Sequence, residues 1–120
     1  AFQNTEEAMY QSIAPVQNLF TGNTTIGAVL TNARFSKTAL TKIAAMAQNG
    51  LARTIRPVHT MADGDSVYAL ASGQADVDIN VAGTLAARVM ADAIKDAVCS
   101  AQPVKGLKTA RDLMKQKREK

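Results

Sequence analysis

The order strand, helix, strand, helix along this 120-residue chain predicts an α/β fold. Two observations carry the prediction. The apolar run Ile26-Gly27-Ala28-Val29-Leu30 is followed, after Ser36, by apolar residues at a 3.6-residue period. The short run from Ser66 to Ala71 is followed, after Asp78, by a second such period. A third observation bears on the interior. Hydrophobic residues make up 47% of the chain, yet there are three Phe, two Tyr and no Trp. The core is therefore expected to consist of Ala, Val, Leu, Ile and Met, and at this length one domain is the upper limit.

Residues 1–23 read as a short helix from Thr5 to Ile13 with Thr5 as N-cap, then a loop through Pro15 and Gly22. Thr24 to Thr31 reads as a strand. Its apolar residues fall at successive rather than alternate positions, which predicts burial on both faces, as in an internal layer. Ser36 caps a helix whose apolar positions are Leu40, Ile43, Ala44, Ala47, Leu51 and Ile55. Asn49-Gly50 interrupts it. A glycine there costs up to about 1 kcal/mol relative to Ala, and it also permits close approach of a neighbour.

After Pro57 comes a loop, His59-Thr60-Met61-Ala62-Asp63-Gly64-Asp65, and then the strand from Ser66 to Ala71. Asp78 caps a long helix from Ile79 to Ala97, with Ala82, Leu85, Ala86, Val89, Ala93 and Ala97 on one face. Pro103 and Gly106 break it, and Thr109 to Lys117 forms a last helix or frays. Two strands alone are marginal in water. Strands from another polypeptide are expected to complete the sheet.

Charge is concentrated at one end. Lys105 to Lys120 holds seven basic and two acidic residues, a net of +5, whereas residues 1–104 carry a net of −1. The high pI therefore reports a short tail, expected to be solvated, and no nucleic-acid partner is expected. No apolar stretch approaches the roughly 20 residues that span a bilayer, so no membrane role is expected. Glu6 and Glu7 stand where the apolar part of a signal peptide would be. With a single cysteine, Cys99, this makes the cytoplasm the expected compartment, and Cys99 is expected to be a small core residue.

The chemistry-bearing residues are few. In Gly22-Asn23-Thr24-Thr25, a hydroxyl residue heads a strand. Cleavage of the Asn23–Thr24 bond would free the Thr24 amine beside its own hydroxyl, placing nucleophile and base on one residue. Asp63-Gly64-Asp65 admits three readings. It could be a tight turn, a calcium loop that lacks the further ligands of an EF-hand, or a pair of acceptors for the ammonium and hydroxyl of a terminal Thr. The lone His59 has no triad or metal-ligand spacing around it and is read as a loop histidine. There is no glycine-rich phosphate loop and no CxxC, so neither cofactor nor metal is expected.

Three separated stretches then carry a resemblance: residues Gly22 to Ala33, Asn49-Gly50-Leu51-Ala52-Arg53, and Pro57 to Asp65. In that order they resemble the small subunit of the DmpA-type aminopeptidases, which include β-peptidyl aminopeptidases and the nylon-oligomer hydrolase. The likeness runs from about residue 22 to Gly73 and more loosely beyond. It implies a precursor that cuts itself into a large and a small subunit, with the new N-terminal Ser or Thr as nucleophile in a four-layer αββα sandwich. Carried onto this chain, the cut falls between Asn23 and Thr24, Thr24 is the nucleophile, and Asp63 and Asp65 hold it.

The resemblance further implies that residues 1–23 end the large-subunit region, that 24–104 form the small-subunit core, and that 105–120 are a basic tail. The large subunit, with its Lys and oxyanion-hole Asn, would be the partner that completes the sandwich. A homo-oligomer and a peptide or amide substrate are expected with it. Two other readings stand beside this one: a non-catalytic or truncated assembly partner, and an acyltransferase similar to the ornithine acetyltransferases.

Overall fold

A computed structural model describes residues 4–12 and 24–118. Its elements run α1 (Thr5–Gln11), β1 (Ile26–Ala33), α2 (Lys37–Ala52), β2 (Ser66–Ala75), α3 (Ile79–Ser100) and α4 (Ala110–Arg118). The α/β order expected from the sequence is present. β1 and β2 pair in parallel with Ile26 opposite Ser66 and Leu30 opposite Leu70, and α2 is the crossover that parallel pairing requires. Near the far end the register shifts, with Thr31 opposite Ala71 but Ala33 opposite Ala75. Gly73 lies within the irregularity at φ +77°.

Caps account for where the helices start. Ser36 accepts from the Ala39 N–H at 3.2 Å. Asp78 accepts from the N–H groups of Asn80 and Val81 at 2.8 and 3.2 Å. At α1 the cap is Asn4, which accepts from the Glu7 N–H, rather than the expected Thr5. Both residues carry a capping oxygen, and the extended backbone of Asn4 decides between them. The expected end of this helix at Ile13, and the loop through Pro15 and Gly22, lie outside the described residues.

One helical layer covers one face of the sheet. Ile43, Ala47 and Leu51 of α2 pack with Ala86 and Met90 of α3, and Val29, Val67 and Ala69 reach this core from the strands. α2 runs through Gly50 without a break because the glycine is where the helices meet. A Cβ on Gly50 would lie 2.6 Å from the Met90 Cβ and 2.7 Å from the Ala87 carbonyl oxygen. Ile55 lies past the end of α2 yet packs against the core from the following loop. β2 and α3 extend further than expected, to Ala75 and Ser100.

Three expectations are corrected. First, β1 is not buried on both faces. Gly27 and Ala33 are buried, but Ile26 and Leu30 are 72% and 77% exposed. Tyr68 and Leu70 of β2, at 60% and 53%, continue the same uncovered apolar face. Second, α3 buries Gly83, Ala86, Ala87, Met90 and Ala91, while Leu85 and Val89 of the expected face are more than half exposed. Small residues let α3 sit close on α2, and the bulkier stripe, with Val81, turns into an open apolar groove beside β1. Third, Cys99 is exposed. It lies on the last turn of α3, beyond the buried positions that pack on α2, and its carbonyl accepts from the Arg111 Nε at 2.9 Å.

No helix among the described residues is long and apolar enough to cross a membrane.

Candidate functional site

Parallel pairing has a geometric consequence for the chemistry-bearing residues. Thr24-Thr25 lead into β1 and Asp63-Gly64-Asp65 lead into β2, so strands running in the same direction bring the two leaders to the same edge of the sheet. The Thr25 N–H donates to Asp65 Oδ1 at 2.8 Å, across 40 residues of sequence. The Thr25 carbonyl accepts from the Ser66 N–H at 2.9 Å. These bonds hold both backbone polar groups of the residue that follows Thr24.

The loop before β2 is folded by its own side chains. Asp63 Oδ2 accepts from the Thr60 N–H at 2.6 Å, and the Asp63 N–H returns to the Thr60 carbonyl at 3.1 Å. The Thr60 hydroxyl accepts from the Ala62 N–H at 3.3 Å. This reciprocal closure makes the turn at Thr60–Asp63, upstream of the tight turn anticipated for Asp63-Gly64-Asp65, because the Asp63 carboxylate reaches back to Thr60 rather than forward. It leaves the Asp63 carboxylate half-buried and in the same depression as Asp65.

Thr24, Thr25, Asp63 and Asp65 line an open depression of about 560 Å³ together with Thr5, Ile55, Arg56 and Pro57. Thr24 is exposed. Asp63, Asp65 and Arg56 share one depression with Thr24. Carboxylates beside a hydroxyl can orient it and take up proton charge as it reacts. All three residues singled out as Thr24, Asp63 and Asp65 thus come together. Asn23, on the other side of the expected cut, lies outside the described residues. His59 is exposed with φ +57° and is not among the lining residues. Arg56 was not foreseen, and only its neighbour Pro57 in the resembling stretch pointed near it.

Among the described residues no three His, Cys, Asp or Glu side chains gather as a metal site.

Comparison with known proteins identifies the lineage. A match to peptidase family S58 spans residues 2–111. The chain belongs to peptidase family S58, the DmpA family. Within it, an uncharacterized aminopeptidase of Mycobacterium tuberculosis (strain ATCC 25618 / H37Rv) is 42% identical over 106 residues, covering 76% of this chain and 31% of the relative. One from Mycobacterium leprae (strain TN) is 44% identical over 102 residues, covering 72% and 28%. A 6-aminohexanoate-oligomer endohydrolase of Agromyces sp. (strain KY5R) is 32% identical over 105 residues, covering 77% and 29%. This S58 chain thus spans about a third of the length of the curated relatives it matches.

Proposed function

We propose that this chain is the nucleophile-bearing portion of a self-processing peptide or amide hydrolase, with Thr24 as the nucleophile. The observation that carries the reading is the 2.8 Å bond from the Thr25 N–H to Asp65, which ties the residue after Thr24 to the Asp63-Gly64-Asp65 segment. Membership of peptidase family S58 supports it, as do relatives named as an aminopeptidase and as an oligomer endohydrolase.

In maturation, the Thr24 hydroxyl attacks the Asn23 carbonyl carbon. The carbon–nitrogen bond breaks, the Thr24 nitrogen takes the proton, and an ester links Asn23 to the Thr24 oxygen. Water then opens the ester, leaving a carboxylate on Asn23 and a free amine and hydroxyl on Thr24. In turnover, the same hydroxyl attacks a substrate amide while the free amine carries the proton to the leaving nitrogen. Such proton transfer is worth about 10²–10⁴ in rate. Asp65 anchors the Thr24-Thr25 backbone, and Asp63 supplies negative charge toward the new ammonium.

The remainder of the precursor covers the apolar face of β1 and β2 with a second sheet and helix layer, completing an αββα sandwich, and supplies the oxyanion donors. Loss of one such donor costs about 10²–10³ in rate.

Intact mass and N-terminal sequencing of the native full-length protein test the reading. A product beginning Thr24-Thr25-Ile26 is expected, together with hydrolysis of an aminoacyl p-nitroanilide or a 6-aminohexanoate oligomer. Thr24→Ala should lose both cutting and hydrolysis, and Thr24→Ser should keep part of each. Full activity in a folded Thr24→Ala protein would overturn the proposal.

A further inference from the structure

Gly64 differs from Gly73 and Gly106 in what surrounds it. Gly73 and Gly106 adopt φ of +77° and +79°, and nothing lies within 4 Å of where a Cβ would stand. Those positions call for glycine by backbone conformation. Gly64 lies outside the left-handed region, so conformation does not demand a glycine there. Instead, a Cβ on Gly64 would stand 2.9 Å from the Thr24 Oγ1, with the Thr24 Cβ and Cγ2 next at 4.0 Å.

The clash could not be relieved by moving the turn. Asp65 and Ser66, the next two residues, hold the Thr25 N–H and carbonyl at 2.8 and 2.9 Å. Any retreat of Gly64 would pull on these bonds, so the Thr24 side chain would have to yield. A β-branched residue has few χ1 alternatives.

The geometry points to Gly64 as a positioning residue for the Thr24 hydroxyl, its missing side chain leaving the space in which Oγ1 rests against the turn. The assignment deepens the proposed threonine nucleophile and rests on it. Because the anchoring bonds lie on the C-terminal side of Thr24, the hydroxyl is held in the same way before and after the bond on its N-terminal side is cut. Gly64 thereby serves both maturation and turnover.

The test is a set of variants of the full-length protein, read by self-cleavage half-time and by Tm. Displacement of a reacting atom by about 1 Å costs on the order of 10²-fold in rate. Gly64→Ala is accordingly expected to slow self-cleavage by about 10–100-fold. In a Thr24→Ser background the serine oxygen needs the same space, so the same change should slow cleavage by a comparable factor, while the freer χ1 should make the Tm loss smaller. Gly64→Ala should also lower Tm by about 2–4 °C with Thr24 present, and by nothing in a Thr24→Ala background, where the clashing oxygen is gone. That last comparison holds even if the single variant folds poorly.

Unchanged cleavage in Gly64→Ala overturns the inference, as does an equal loss of Tm in the Thr24 and Thr24→Ala backgrounds. Self-cleavage by Thr24→Ala would instead sink the nucleophile assignment, while the Tm coupling would still report the Gly64–Thr24 contact.

Discussion

At Asp65 one carboxylate oxygen does a backbone's work. A hydrogen bond to a charged acceptor is worth about 1.5–3 kcal/mol net, more than a neutral one. Asp65→Ala strands the Thr25 N–H at the head of β1 and should destabilise the intact protein by about 1–3 kcal/mol. Asp65→Asn keeps an acceptor oxygen and should cost less. If Asp65 only anchored the backbone, Asn would restore self-cleavage nearly in full. A stable Asp65→Asn protein that cleaves slowly would show that the negative charge matters as well. Denaturation midpoints and cleavage time courses on the same samples separate the two.

Two glycines of the helix pair make opposite predictions at the level of elements. Ala is the better helix former by about 1 kcal/mol. At Gly50, however, the added methyl meets the Met90 Cβ, the Ala87 carbonyl oxygen and the Ala91 nitrogen at 2.6, 2.7 and 2.9 Å. None of these can swing aside. Overpacking costs about 1–3 kcal/mol, and this site belongs at the upper end, so Gly50→Ala should lower Tm. At Gly83 the methyl meets the end of the flexible Met46 side chain. Rotation of the thioether relieves most of that, and Gly83→Ala should be much milder. Equal Tm losses would contradict the packing described for α2 and α3.

The start of α4 makes a pH prediction. Asp112 accepts from the Thr109 N–H and hydroxyl at 2.8 and 2.9 Å. These bonds, the backbone one first, hold its carboxyl below the usual carboxylate range, with smaller help from Lys115 and Lys108. A lowered value in the folded state stabilises the helix start above the unfolded value of about 3.9. That contribution disappears as pH falls through the lowered folded value. The Thr109 amide should therefore lose protection from hydrogen exchange only in acid. Asp112→Asn should remove the acid-dependent step.

For the molecule as a whole, the decisive feature is the uncovered sheet face formed by Ile26, Leu30, Tyr68 and Leu70. Contiguous apolar surface of this kind supports the proposed second layer. Leu30→Lys should therefore have opposite effects in two settings. In the isolated 120-residue chain it should reduce self-association and dye binding. In the full-length protein it should block assembly and self-cleavage, because an unpaired charge buried between layers costs several kcal/mol. Light scattering and intact mass on the two forms check both arms. Better cleavage in the full-length variant would contradict a buried face.

Much of this was legible from local pattern. Ser36 and Asp78 announced their helices because a cap needs only a nearby oxygen and an extended backbone. Composition marked the start of β2 at Ser66 but placed that of β1 at Thr24, two residues early, and the resemblance pointed to Thr24, Asp63 and Asp65. The buried side of α3 was not legible, because both of its stripes are apolar and a period cannot say which one meets α2. Nor could the successive apolar residues of β1 say that one face is left uncovered. Arg56 and Gly64 carry no motif of their own, and their place beside Thr24 follows from how the loops fold.

The sequence by itself determined the order of elements, the starting caps of α2 and α3 and the family, since these depend on neighbours within a few residues or on matched stretches of chain. Only the tertiary structure decided that Thr24 and the Asp63-Gly64-Asp65 segment share one edge. That proximity depends on the parallel register of β1 and β2, and register is set by long-range pairing and by burial of one face against the helices.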